Sequence, residues 1–163
     1  MKIVLGLGSN MGDREEHLRE ALVSLRQRQI HVRRSASLYL TEPRDLTDQP
    51  WFINTVAEVD TNLDPLKLLE CCLAVEHEAG RIRDELRGPR PIDIDILFYG
   101  DQQIQTGNLV VPHPRYADRR FVLVPLAELA PEFRDPVNGL TMLQLLERCS
   151  DAGDVRLHAP PLL

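Results

Sequence analysis

The segment that most restricts the fold is "GPRPIDIDILFYG", Gly88 to Gly100. Ile92, Ile94, Ile96, Leu97, Phe98 and Tyr99 are aliphatic, β-branched or aromatic and a glycine stands at each end, which reads as a buried strand. Side chains alternate along a strand, so Asp93 and Asp95 are expected on one face and Ile92, Ile94, Ile96 and Phe98 on the other. At about 7 Å apart, two bare carboxylates repel by about 2 kcal/mol at an effective dielectric near 20. A strand of this kind therefore calls for positive charge beside the pair.

The rest of the chain supplies partners for that strand. "KIVLGLG" (Lys2 to Gly8) reads as a first strand, and Asp13 to Arg28 as an amphipathic helix with Asp13 as N-cap and Leu18, Ala21, Leu22 and Leu25 as its apolar stripe. Ile30 to Thr41 reads as a second strand and Trp51 to Asp60 as a third. Glu42 to Pro50 is a polar loop between them. A second helix starts at Asp64-Pro65 and stops at Gly80, with Leu68, Leu69, Cys72, Val75 and Ala79 facing inward. With the aspartate strand the order is β-α-β-β-α-β, the split arrangement of an α+β ferredoxin-like sandwich. A short hairpin around "QQIQTGNLVV", an apolar segment "FVLVPLAELAP" and a helix over Thr141 to Arg148 form a small C-terminal extension. The last residues, "HAPPLL", are expected to fray.

With 163 residues, 43% hydrophobic and 27% charged, the chain is expected to fold as one domain over 1–163. The longest apolar runs fall far short of a membrane span, and "MKIVLGLGSN" reads as a strand and turn rather than a signal peptide, so the expectation is a cytoplasmic protein with no membrane partner. Cys71, Cys72 and Cys149 have no metal-ligand spacing and read as reduced thiols. A net charge of −6 argues against a nucleic-acid partner. Nothing in the pattern demands a dimer, so a monomer is expected. Basic residues nevertheless cluster in two places: Arg81, Arg83, Arg87 and Arg90 in one, Arg115, Arg119 and Arg120 in the other.

Two arrangements satisfy the Asp93/Asp95 pair, a divalent cation such as Mg²⁺ or salt bridges to Arg83 or Arg90, and the spacing favours the metal. Beside such a strand, "GRIRDELRGPR" reads as a phosphate clamp, since guanidinium groups offer forked donors to phosphate oxygens. Asn54, a polar residue between Ile53 and Val56 in the third strand, offers an amide to the edge of a flat heterocycle. Phe52 on the same strand face, with Phe121 from elsewhere, forms a slot for a planar ring. "GLGSNMG" misses a nucleotide fingerprint at Met11 and reads as a strand-to-helix turn with glycines for backbone freedom.

The ordered set "GLGSNMGD", "LYLTEP", "DQPWFIN", "VEHEAGRIR", "GPRPIDIDILFYG" and "VPHPRYADRRFVLVPLAEL" resembles the hydroxymethyldihydropterin pyrophosphokinase family. The resemblance implies a ferredoxin-like fold and transfer of pyrophosphate from ATP to 6-hydroxymethyl-7,8-dihydropterin, with AMP released, in folate biosynthesis. It implies two Mg²⁺ ions on Asp93 and Asp95, and Arg81 and Arg90 stabilising the transferred group with help from Arg83. Glu76, His113 and Arg119 would contact ATP. Asn54 would bind the pterin edge, Asp93 would also face the pterin, Phe52 and Phe121 would sandwich the ring, and Thr41 and Pro43 would supply backbone contacts. Segments 42–50 and 82–90 are expected to be the least ordered parts of the unliganded protein.

Overall fold

β1 (Ile3–Ser9) runs through the sheet with Ile3, Leu5 and Leu7 in one apolar cluster and Val4 in another, so its alternation separates two faces. The computed structural model describes residues 2–43, 48–80 and 90–163. In chain order follow α1 (Arg14–Gln27), β2 (His31–Ser35), β3 (Leu38–Thr41), β4 (Phe52–Asp60), α2 (Pro65–Glu78) and β5 (Asp93–Tyr99). Then come β6 (Ile104–Gln105), β7 (Val110–Val111), a 3₁₀ turn at Tyr116–Asp118, α3 (Arg120–Leu129), α4 (Met142–Arg148) and β8 (Val155–Ala159). The main sheet is antiparallel, in the order β5-β1-β4-β3-β8, with β2 also paired to β4. β6 and β7 make a separate ribbon.

Helices α1 and α2 form where local chemistry asks for them. The Asp13 carboxylate accepts from Glu16 N and the Asp64 carboxylate from Lys67 N, each satisfying an amide that the first turn leaves open. Pro65 occupies the start of α2, and Gly80, at φ +89°, follows its end. Leu18, Ala21 and Leu25 of α1 and Leu68, Cys72 and Val75 of α2 pack on the Ile3, Leu5 and Leu7 face, together with Ile94 and Ile96 of β5. Fully burying a side chain such as Leu5, Leu25 or Leu68 stabilises by about 1.5–3 kcal/mol. The opposite face is covered by α3 and α4, whose Leu123, Leu126, Met142 and Leu145 meet Val4, Val56, Leu97 and Phe98.

Several expectations change. The strand foreseen over Ile30 to Thr41 is two strands, because Ala36 N donates to Val56 O while Ser37 N turns away to the Glu128 carboxylate on α3. Phe98 lies on the face opposite Ile94 and Ile96. A β-bulge, with Val4 opposite Phe98 but Leu5 opposite Ile96, inserts Leu97 as an extra residue and puts Leu97 and Phe98 on the same side. There Phe98 meets the rings of Tyr116 and Phe133, each at 4.9 Å. Ala79 is exposed, since α2 has already ended at Glu78. The segment "HAPPLL" begins inside β8, where Ala159 pairs with Leu38 and His158 Nε2 lies 2.9 Å from Glu15, so His158 and Ala159 do not fray. The apolar segment after Arg119 is α3.

Candidate active site

The floor of a cleft opening on β1, β4 and β5 is a row of backbone without side chains. Gly8 of β1 stands between Asp93 of β5 and Asn54 of β4, and Gly6 between Asp95 and Val56. A β-carbon at Gly8 would lie 2.2 Å from Asn54 Oδ1, so the Asn54 amide occupies the space that any other residue would fill. The expectation that these glycines serve a turn is therefore corrected. Gly6 and Gly8 are strand residues that clear the floor, and the positive φ of the turn falls on Gly12. The readable signal was two glycines two apart in a strand, which share a face.

Around this floor the cleft gathers Thr41, Pro43, Phe52, Asn54, Arg90, Asp93, Asp95, Arg119 and Phe121. Asn54 Nδ2 donates to Thr41 Oγ1 at 2.7 Å, which leaves the Asn54 carbonyl oriented over Gly8. The Arg90 guanidinium lies 5.0 Å from the Phe52 ring centre, with its Nε 3.5 Å from Asp93 Oδ2. The Arg119 guanidinium lies 5.6 Å from the Phe121 ring centre. The positive charge that the aspartate pair calls for is thus present at Arg90, and the two arginines lie over the two rings expected to sandwich a ligand.

Asn10, almost fully buried, joins two edges of the cleft. Its N–H donates to Arg90 O, its Oδ1 accepts from Arg90 N at 2.8 Å, and its Nδ2 donates to Gln49 Oε1 and Pro50 O. Sequence reasoning missed Asn10, Glu42 and Gln49. Asn10 belongs to a motif that resembled an ordinary turn, while Glu42 and Gln49 fall in a polar loop.

Glu76 and His113 do not line this cleft. Glu76 is 2% exposed, and its Oε2 accepts from Ile94 N at 2.8 Å, gripping the backbone between Asp93 and Asp95. His113 follows the cis Val111–Pro112 bond, and its N–H donates to Leu97 O, which keeps the loop against β5. Burial, with the charges of Arg119 and Arg115 and against that of Asp93, pushes its pKa down to about 4. Its Nδ1 accepts from Arg115 N at 3.1 Å, which assigns the proton of the neutral ring to Nε2. Arg81 and Arg83 lie outside the described residues, as do 44–47 and 82–89 of the segments expected to be least ordered. The three cysteines are free, and burial raises the Cys72 thiol pKa, which fits an unreactive core residue. Among the described residues no helix is long and apolar enough to cross a membrane.

A mixed α/β fold whose sheet carries carboxylates, guanidinium groups and aromatic rings into one cleft belongs to the class of small-molecule enzymes. The profile of 7,8-dihydro-6-hydroxymethylpterin-pyrophosphokinase (HPPK) matches residues 4–131, and the chain belongs to this family. It is 41% identical over 157 residues to the 2-amino-4-hydroxy-6-hydroxymethyldihydropteridine pyrophosphokinase of Pseudomonas aeruginosa, covering 96% of each chain. It is 44% identical over 129 residues to the Bacillus subtilis enzyme of that name, covering 78% of this chain and 77% of the relative. To the mitochondrial folate synthesis bifunctional protein of Pisum sativum it is 46% identical over 128 residues, but it spans only 25% of that protein. A crystal structure of Plasmodium falciparum HPPK-DHPS with pteroate superposes with a TM-score of 0.74 at 18% identity, covering 90% of this chain and 42% of that one, which bears on the fold alone.

Proposed function

We propose that this protein transfers the pyrophosphoryl group of ATP to the hydroxymethyl oxygen of 6-hydroxymethyl-7,8-dihydropterin in folate biosynthesis, with AMP as the leaving group. The observation that carries the reading is the row Asp93, Gly8, Asn54 across three strands, a flat floor with a carboxylate at one end and an amide at the other. A pterin edge presents donors and acceptors side by side, which an amide and a carboxylate match. Phe52 and Phe121 supply the ring faces of the slot, with Thr41 and Pro43 at its margin. Membership of the family over 4–131 gives the reading its chemistry.

Within this reading, Arg90 and Arg119 grip phosphate oxygens in the cleft, and Arg81 and Arg83 add further guanidinium groups. Neutral His113 donates from Nε2 to a phosphate oxygen. Glu76 acts near the nucleotide by holding the strand between the two aspartates. The hydroxymethyl oxygen attacks the β-phosphorus as the bond to the α-phosphate oxygen breaks, so one P–O bond replaces another and the acceptor's proton is released. Fixing both substrates over a rigid floor removes most of the entropic cost of bringing them together.

Asp93 and Asp95 fit Mg²⁺. They are hard oxygen donors two apart on one strand face, and phosphate oxygens and water would complete the coordination. Two such ions, when bound, supply neutralisation of the charge that builds on the transferred group. We also read the core as ferredoxin-like, supported by the β5-β1-β4-β3 order and the β-α-β-β-α-β sequence of elements. We further propose that it works as a cytoplasmic monomer without a nucleic-acid partner, and the net charge of −6 supports the last of these.

The test is nucleotide product analysis with ATP, Mg²⁺ and the pterin alcohol. AMP that appears only with acceptor and metal is the expected result. ADP would keep the scaffold and change the reaction, and no product from well-folded protein would favour a non-catalytic binding module.

A further inference from the structure

Helix α3 carries Phe121 at its second position, yet it begins without the usual means of starting a helix. Its N-cap residue is Arg119, with no side-chain cap, whereas α1, α2 and α4 are capped by their own Asp13, Asp64 and Thr141. A cationic residue at a helix N-terminus also opposes the helix dipole. The missing acceptor comes from far along the chain, since Asp151 Oδ2 accepts from Arg120 N at 2.9 Å. Position 119 is thereby free to hold an arginine in the cleft rather than a capping residue.

The same few residues hold the opposite wall. Asp151 Oδ1 accepts from Gly153 N at 2.8 Å and closes a tight turn. Asp154 N then donates to Glu42 Oε1 at 2.8 Å, and Glu42 N donates to Asp154 O. Glu42 sits between Thr41 and Pro43, which line the slot together with Phe52. Beyond it, Arg156 pairs with Asp154 at 2.6 Å and stands 5.5 Å from the Trp51 ring. One segment, 151–154, therefore joins the Phe121 wall to the Pro43 wall, and it lies past residue 131, where the family match ends.

We propose that Asp151 is a positioning residue that sets the width of the ring slot by capping α3 from outside and anchoring the 151–154 turn against Glu42. The proposal rests on the reading of this slot as the pterin site. It assigns Asp151 a larger effect on the heterocycle than on the nucleotide, because the segment holds both the Phe121 and Pro43 walls of the slot and reaches the phosphates only through Arg119 beside the capped amide.

The experiment uses the full chain and measures, for wild type, Asp151→Ala and Asp151→Asn, the Kd of hydroxymethylpterin by fluorescence titration and the KM of pterin and ATP separately. Thermal unfolding is recorded in parallel. Loss of an N-cap acceptor predicts a rise of about fivefold in pterin Kd and KM for Asp151→Ala, with the ATP KM within about twofold of wild type. Asp151→Asn, which keeps one oxygen acceptor, should recover part of that loss. Gly153→Ala is the second variant, for use if Asp151→Ala does not fold. Its β-carbon would stand 3.1 Å from Asp151 Oδ1 and 3.5 Å from Glu42 Oε1, and it should weaken pterin in the same direction. Unchanged pterin Kd in the folded variants, or equal loss of pterin and ATP, would overturn the proposal. Because binding is read directly, failure of wild type to form AMP while pterin binding stays Asp151-dependent would sink the transfer reaction and leave this role standing.

Discussion

The two faces of β1, β4 and β5 are made by the same strands and do opposite work. On one, Leu5, Ile53 and Ile94 lie under α1 and α2 in an aliphatic layer. On the other, α3 and α4 cover Val4, Val56, Leu97 and Phe98, while Gly6, Gly8, Asn54, Asp93 and Asp95 line an open cleft. Stability and chemistry are thus assigned to alternate residues, so neighbours one position apart should fail in different ways when changed.

The largest separation is expected between Asp95 and its neighbours on β5. Asp95→Ala should lower AMP formation by about 10³-fold or more, since a preorganised charge at the transferred group is lost. Its unfolding temperature should stay close to wild type. Retained turnover with Mg²⁺ would break the comparison. Ile94→Ala, one residue away, should instead cost about 2–5 kcal/mol in chemical denaturation and leave turnover of the folded fraction nearly intact, because it opens a cavity in the buried layer. Equal kinetic loss in both variants would show that the two faces are not independent.

A smaller effect sharpens the description of the floor. Gly8→Ala places a methyl group against Asn54 Oδ1 and should weaken pterin binding by about tenfold, on the order of 1.4 kcal/mol, with ATP affinity unchanged. Isothermal titration with each ligand separately reads this. The smallest effect is in pH dependence. The folded pKa of His113 is held near 4, below the ordinary value of 6.5, so the unfolded chain takes up a proton first. This contribution to stability is full above pH 6.5, declines as pH falls towards 4, and levels off below. Urea titrations across that window should show a shallower slope for His113→Asn. An identical slope would mean that the ring is not buried in its neutral form.

What could be read from the sequence follows the range of the interactions. Asp13 and Asp64 were legible as caps because each acts on an amide three residues ahead. The Asp93/Asp95 pair was legible because period two is local. The break between β2 and β3 depends on Glu128, 91 residues from Ser37, and the hold on Glu42 on Asp154, 112 residues away. No window along the chain contains both partners. The bulge at Leu97 was hidden for a related reason, since an extra residue shows only when β5 is laid against β1. Glu76 entered only through the resemblance, as an ATP contact, and its hold on the strand is visible only with Ile94 N in front of it.

Gly8 has a consequence for how this protein varies. Its contribution is made by missing atoms, so every replacement adds bulk to a place already occupied by Asn54. In a saturation scan the position should behave like Asp95, rejecting nearly all alternatives, although it has no side chain with which to touch a substrate. Its tolerance could be restored only by shrinking the residue across the strand, which makes positions 8 and 54 a pair that must drift together or stay put.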